Sequence, residues 1–251
     1  MRPARPLVIA HRGASAYRPE NTLPAYELAV ELRAAMIEID LHRTRDGEIV
    51  ITHDEELAGL GGEGEIADAL AAEVRGLDAG GGERVPTLAE VLDRFGPQIP
   101  FNLEIKRGAK ALYSGIEEQA LRAVSERSLG ASILWSSFHD PVLARLRALE
   151  PGARLAFLVS PRDAERPVER ALAVGAEAIN PWHGMASPEF VAEAHGEGLA
   201  VYPFTVDAPD AMERLLERGV DGLFTNHPDR LRDLLRAGEP AADRQQPNEE
   251  R

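Results

Sequence analysis

The chain has 251 residues and no cysteine, and its 42 acidic and 28 basic side chains leave a formal net charge of −14. The absence of thiols excludes a disulfide scaffold, a cysteine nucleophile and a thiolate zinc site. The negative balance works against nucleic-acid backbones and anionic membranes as partners, so a bound anion needs local positive charge or a metal.

Residues 1–6 are basic, but the apolar stretch after them is too short for a signal peptide. No apolar run approaches the roughly 18 residues of a membrane span, so the expectation is a soluble, cytoplasmic protein. Short runs rich in Val, Ile and Leu predict strands over 7–11, 36–41, 49–53, 101–105, 132–137, 154–159, 177–180, 199–204 and 222–225. Between them, apolar residues at helical spacing predict helices over 22–33, 87–95, 114–126, 141–149, 164–174, 188–197, 209–218 and 228–236. Asp140-Pro141, Ser187-Pro188 and Asp207-Ala208-Pro209 each place a capping oxygen before an early-turn proline, and Thr87-Leu88-Ala89-Glu90 reads as a capping box. Gly175, Gly198 and Gly219 mark helix ends, each followed by the next strand.

Repeated strand–helix units imply parallel strands joined by right-handed crossovers. Eight main units in this length favour a TIM-type (β/α)8 barrel over an open doubly wound sheet. The extra strand at 49–53 forms a small insertion after the second barrel strand, followed by a Gly-rich loop over 59–82 that contains a weak helix at 67–75. One barrel domain is expected over 1–237 and a disordered tail over 238–251, where large apolar residues almost vanish.

In such a barrel the chemistry sits where strands end. Six of the seven histidines (His11, His42, His53, His139, His183 and His227) fall at predicted strand ends. Side chains two apart on a strand share a face. Glu38 and Asp40 therefore point one way while Ile37, Ile39 and Leu41 point the other, and Asn102, Glu104 and Lys106 likewise share a face. Carboxylates turned into a barrel interior do not stay ionised cheaply without a cation. Glu38, Asp40 and Glu104 make a hard oxygen set for magnesium, calcium or manganese; pairing of Glu38 and Asp40 with Arg12, Arg43 or Lys106 is the other reading, and spacing does not choose between them. His11 suits acid–base chemistry near neutral pH, Arg12 offers a fork for phosphate, and Gly13 permits a tight turn or a close approach. Phe138, Trp182, Phe204, Trp135 and Tyr202 near strand ends read as core or rim packing rather than as sugar- or lipid-stacking residues.

The ordered set His11-Arg12-Gly13, Pro19-Glu20-Asn21-Thr22, Glu38-Ile39-Asp40, Asp46-Gly47, His53-Asp54, Val85-Pro86-Thr87-Leu88 and Asn102-Leu103-Glu104-Ile105-Lys106 resembles the glycerophosphodiester phosphodiesterase family. Later pieces agree: Trp135-Ser136-Ser137-Phe138, Tyr202-Pro203-Phe204-Thr205-Val206 and the run from Gly219 to Pro228. The resemblance implies a metal-dependent hydrolase of lipid and glycerol metabolism that cleaves a small-molecule glycerophosphodiester to sn-glycerol 3-phosphate and an alcohol. It implies a divalent cation on Glu38, Asp40 and Glu104, His11 and His53 as the acid–base pair, and Arg12 and Lys106 beside the phosphate, with Glu20 and Asn21 bracing the site. Phe204 stands where the family commonly has tryptophan and Asn226 where it commonly has aspartate, and no Arg-Thr pair follows His53-Asp54. Those departures are expected to touch the rim rather than the reacting centre. Two other readings are a lysophospholipase D-like activity, with Leu57, Leu60 and Leu77 as an apolar rim, and a barrel that only binds a phosphorylated metabolite.

Overall fold

A computed structural model describes residues 3 and 5–238 of the chain. The elements are β1 (Leu7–His11), α1 (Leu23–Glu31), β2 (Met36–Arg43), β3 (Ile49–Ile51), α2 (Ala71–Arg75), α3 (Leu88–Phe95), β4 (Phe101–Ile105), α4 (Ile116–Ser125), β5 (Ile133–Ser137), α5 (Asp140–Leu149), β6 (Leu155–Val159), α6 (Pro167–Ala173), β7 (Ala178–Pro181), α7 (Pro188–Gly196), β8 (Ala200–Val201), α8 (Pro209–Glu217), β9 (Gly222–Thr225) and α9 (Pro228–Ala237). Parallel pairing runs β9-β1-β2-β4-β5-β6-β7-β8, with β3 antiparallel on β2 outside this path. The ring is joined between β8 and β9 by Asp221 N–H to Val201 O (2.9 Å) and Phe224 N–H to Pro203 O (3.0 Å). From Asp221 to Phe224 the chain advances three residues against two from Val201 to Pro203, and Pro203 has no N–H to give towards β9. The expected strand over 199–204 is therefore regular only at Ala200–Val201, although Tyr202 N–H to Ile179 O and Phe204 N–H to Pro181 O (both 3.0 Å) carry its pairing with β7 onward. The protein is a (β/α)8 barrel with an insertion after its second strand.

Alternation sorts the core. Ile9, Met36, Leu134, Ala156, Ala178, Ala200, Tyr202 and Phe224 form a cluster made of strand residues and their direct extensions, which fills the barrel axis. The intervening residues (Ile37, Ile39, Leu103, Trp135, Phe157) join helix residues such as Tyr26, Leu92 and Leu146 in the layer between sheet and helices. Each large side chain so buried contributes on the order of 1.5–3 kcal/mol. Two residues further along the inward face, the apolar plug gives way to His11, Glu38, Asn102, Ser136 and Asn180, so the polar layer begins where the C-terminal mouth opens.

Several boundaries shift for identifiable reasons. β2 continues to Arg43 because β3 pairs with its far end, Leu41 with Ile51 and Arg43 with Ile49. β3 then stops at Ile51, leaving His53 on a loop rather than at the expected end of a strand. The weak helix at 67–75 divides into a 3₁₀ turn at Ile66–Asp68 and α2. Thr87 and Glu90 do make the reciprocal cap, and Ser187 accepts the Phe190 N–H, but Asp140 is taken by Arg170 (2.6 Å) and Asp207 by Thr225 and Asn226 instead of capping. Of the tail over 238–251, residues 239–251 lie outside the described residues; Gly238 caps α9 through its N–H to Leu234 O. Among the described residues no helix is long and apolar enough to cross a membrane.

Gly13 carries φ +84°, and a Cβ there would lie 2.7 Å from the backbone carbon of Ala25 in α1. The close approach is therefore to a helix, locked by Ala14 N–H to Ala25 O at 2.9 Å. Gly13→Ala is expected to destabilise the fold by about 2–4 kcal/mol, read as a lower midpoint in urea with unchanged slope; a midpoint equal to the parent's would refute this account.

Candidate active site

The register of three neighbouring strands assembles the polar layer. His11 lies opposite Glu38 across β1–β2, and Asp40 opposite Glu104 across β2–β4. Glu38, Asp40 and Glu104 are all buried, and each offers one oxygen within 4.8 Å of the others. Lys106, just past β4, sets its Nζ 2.8 Å from Asp40 Oδ1 and 2.6 Å from Glu104 Oε1. Arg12 donates its backbone N–H to Glu38 Oε2 (2.9 Å), and its Nε stands 3.3 Å from Asp40 Oδ2. Arg12 holds φ +57°, a conformation disfavoured for a side-chain-bearing residue, and the Asn21 N–H to its carbonyl (3.1 Å) helps to keep it there.

The first loop braces this layer as expected. Both oxygens of Glu20 accept from Arg12 Nη1 (2.9 and 3.0 Å), Asn21 Nδ2 donates to Asp40 Oδ2 (2.8 Å), and the Tyr26 hydroxyl donates to Asn21 Oδ1 (3.1 Å). Arg12 is consequently less available to phosphate than its fork suggested: Nη1 is engaged by Glu20, and Nε is buried facing Asp40 without a hydrogen-bond partner, leaving Nη2. Arg43 takes no part, since its Nε donates to Gln119.

Both readings of the acids are realised in part. Asp40 is ion-paired, and although burial opposes its charge, Lys106 and Arg12 outweigh that and hold it below the usual carboxylate range. Glu38 has Oε1 buried with no hydrogen-bond partner. Burial, with Asp40 and Glu104 adding like charge, pushes its carboxyl well above the usual range. Glu104 is also raised, by burial first, although Lys106 opposes this. Three carboxylates thus face two cations, and one buried negative charge has no counterpart. An orphaned hard oxygen in an all-carboxylate set fits a divalent cation. Such an ion would add two positive charges to the layer and offset the excess of carboxylates, including Glu20 on Arg12, that would otherwise repel a phosphodiester monoanion.

The two histidines differ in their surroundings. His11 Nδ1 meets Asn226 Oδ1 at 2.8 Å, and its Nε2 stands 3.5 Å from Thr205 Oγ1. Burial, helped by the neighbouring Arg12 charge, lowers its pKa to about 4, so the ring is neutral at pH 7. His53 is half-exposed, with Nδ1 2.8 Å from Asp54 Oδ1. Beneath it, buried His42 donates from Nε2 to the His53 carbonyl (3.1 Å) and accepts from the Tyr113 hydroxyl (2.7 Å).

A cavity of about 330 Å³ at the mouth is lined by His11, Arg12, Glu38, His53, Glu104 and Lys106, with Asp40 ion-paired directly behind them. All seven residues singled out in the sequence therefore converge. The opposite wall is apolar (Phe138, Leu158, Trp182, Phe204, Phe224), so Phe138, Trp182 and Phe204 face the cavity rather than only packing; Phe138 and Phe204 meet edge to face. His183 joins this lining, whereas His227 meets Tyr17 edge to face. Leu57 packs with Val50, Ile66 and Val85 in the insertion, with Leu60 and Leu77 partly buried against them; Leu60 also lines a second cavity of about 230 Å³ beside His53 and Glu20, whereas Leu57 and Leu77 line neither this cavity nor the main one. Asn226, expected at the rim, touches His11 directly. Its position at the end of β9 beside β1 was implicit in barrel closure, while Asp207 behind it read in the sequence only as a helix cap.

The glycerophosphoryl diester phosphodiesterase family matches residues 11–230. A glycerophosphodiester phosphodiesterase of Caldanaerobacter subterraneus subsp. tengcongensis is 38% identical over 241 residues, covering 92% of this chain and 98% of that one. One from Bacillus subtilis is 34% identical over 255 residues, with coverage of 90% and 85%. Among solved structures, an Oleispira antarctica phosphodiesterase in complex with the product sn-glycerol-3-phosphate is similar with a TM-score of 0.79 at 29% identity, covering 92% of this chain and 97% of that one.

Proposed function

The chain belongs to the glycerophosphoryl diester phosphodiesterase family, and on that premise we propose that it hydrolyses glycerophosphodiesters to sn-glycerol 3-phosphate and an alcohol, with a divalent cation on Glu38, Asp40 and Glu104 and with His11 and His53 as proton carriers. The observation that carries this reading is the meeting of two histidines and three buried acids around one cavity at the C-terminal mouth of the barrel. The product held by the Oleispira relative supports the choice of substrate class.

A phosphodiester resists attack because its negative charge repels nucleophiles. A cation bound by the three carboxylates would supply Lewis-acid neutralisation of that charge. Lys106 Nζ and Arg12 Nη2 oppose the charge that grows on the phosphoryl oxygens. His11, neutral at pH 7, accepts the proton of the attacking hydroxyl; attack by water gives sn-glycerol 3-phosphate directly, whereas attack by the neighbouring glycerol hydroxyl gives a cyclic phosphate that a water must then open. His53, wetter and backed by Asp54, donates a proton to the departing alkoxide. The apolar wall excludes bulk water from the far side of the substrate, which strengthens each of these interactions.

The direct test is release of sn-glycerol 3-phosphate from glycerophosphocholine in magnesium or calcium, then after EDTA, then after metal is restored. Turnover is expected to fall to background with chelator and return with metal; full turnover in EDTA would remove the metal role. Faster cleavage of lysophosphatidylcholine than of glycerophosphocholine would select the lysophospholipase D reading, for which only Leu60 of the three candidate leucines lies beside His53.

A further inference from the structure

The two proton carriers are held by chemically different partners. Asp54, a carboxylate, faces His53, whereas a neutral amide, Asn226, faces His11. Which end of that amide faces the imidazole is decided one residue further back. Asp207 Oδ1 accepts the Asn226 backbone N–H (2.8 Å) and the Thr225 hydroxyl (3.1 Å), and Asp207 Oδ2 lies 2.7 Å from Asn226 Nδ2. A carboxylate has no proton to donate, so the donor end of the amide must face Asp207 and the acceptor end, Oδ1, must face His11. An amide oxygen cannot donate either, so the hydrogen of this 2.8 Å bond sits on His11 Nδ1. The lone pair of the neutral ring then lies on Nε2, beside Thr205 in the cavity.

We propose that Asn226, oriented by Asp207, is a positioning residue that locks His11 in the Nδ1–H tautomer and thereby makes Nε2 the proton acceptor of the reaction. This rests on the hydrolase reading above and assigns within it which ring, and which nitrogen of that ring, starts with a free lone pair. The amide cannot share the charge of an imidazolium as a carboxylate would, so the lock serves a ring that begins neutral. A ring left to itself would favour the opposite tautomer, with the hydrogen on Nε2 and no lone pair facing the substrate. Ser15 Oγ, 2.8 Å from Asn226 Oδ1, helps to hold the amide in place.

The test compares the wild-type enzyme with Asn226→Leu and Asn226→Asp, using glycerophosphocholine kinetics and ¹⁵N-histidine NMR, with the His11 signals identified by their loss in His11→Gln. The wild-type His11 spectrum is expected to show a protonated Nδ1 and a bare Nε2. Asn226→Leu is expected to move the hydrogen to Nε2 and lower kcat by about 10²-fold with KM within about twofold. Asn226→Asp keeps an acceptor against Nδ1, while its second oxygen meets the Asp207 carboxylate in place of the Nδ2 donor, so it is expected to restore the Nδ1–H form and to raise kcat at least about tenfold above Asn226→Leu without reaching the wild-type rate. A wild-type ring protonated on Nε2, or an Asn226→Leu variant within twofold of wild-type kcat, would overturn the proposal. If Asn226→Leu does not fold, the wild-type spectrum decides alone. An inactive wild type would defeat the hydrolase reading, and the spectrum would still decide the tautomer.

Discussion

Replacing His11 by glutamine leaves a folded protein whose kcat on glycerophosphocholine falls by about 10³-fold, with KM little changed. Glutamine fills a similar volume, and its amide N–H can donate to Asn226 Oδ1 as Nδ1 does now, so the β1–β9 junction survives. What it cannot do is take a proton from the attacking hydroxyl. A positioned base contributes on the order of 10²–10⁴ in rate, and the binding contributed by Lys106 and the carboxylate layer does not depend on it. A rate within tenfold of the parent would remove His11 from the chemistry. The same substitution has a stability signature. The native ring is depressed to about 4 from its ordinary 6.5 by burial and by Arg12. The unfolded chain therefore binds a proton that the native one does not, and native stability is lost as pH falls from about 6.5 towards 4. His11→Gln lacks this contribution, so urea midpoints at pH 5 and pH 7 should lie closer together in the variant than in the parent.

Glu38→Gln is expected to have opposite effects on the metal-free and metal-loaded protein. Without metal, Glu38 is a buried carboxyl raised well above its ordinary 4.5 by burial, Asp40 and Glu104. The native state holds that proton more tightly than the unfolded chain, so ionising it costs native stability increasingly as pH rises above about 4.5. Glutamine removes the cost while its carbonyl still accepts the Arg12 N–H, so in EDTA at pH 7–8 the variant melts higher than the parent, and near pH 4 the two coincide. With metal the order reverses. A cation at about 100 times its Kd adds about 2.7 kcal/mol to the parent, about 5–10 °C for a chain of this size, and the variant gains little. Its kcat falls by at least about 10³-fold, since several kcal/mol of charge stabilisation is lost. A variant that melts lower than the parent in EDTA, or that keeps the metal-induced rise, would contradict the charge account.

Much of the site was legible because strands encode orientation simply. The 36–41 run alternates apolar and acidic residues, which puts Glu38 and Asp40 on one face whatever the tertiary detail, and the same holds for Asn102, Glu104 and Lys106. The barrel was legible from strand–helix repetition and from glycines closing the helices. Less was legible where a residue chose among several partners. Asp207 resembled a helix cap and became the anchor of Asn226, and Arg12 resembled a phosphate fork and spends Nη1 on Glu20. Phe138, Trp182 and Phe204 resembled packing residues and form a wall of the cavity.

By itself the sequence determined the barrel and the shared face of Glu38 with Asp40 and of Asn102 with Glu104 and Lys106, because the face on which a side chain lies follows from a two-residue period and from the burial of apolar neighbours; His11, Arg12 and His53 were singled out by the family resemblance. Only the tertiary structure decided which groups touch. Asn226 reaches His11 across 215 positions of chain because β9 returns beside β1. The mismatch of three acids against two cations emerges only when Arg12 and Lys106 are seen to be the near partners and Arg43 is not. Hydrogen-bond direction and charge balance depend on separations of a few tenths of an ångström between remote segments, and a periodic pattern carries no information at that scale.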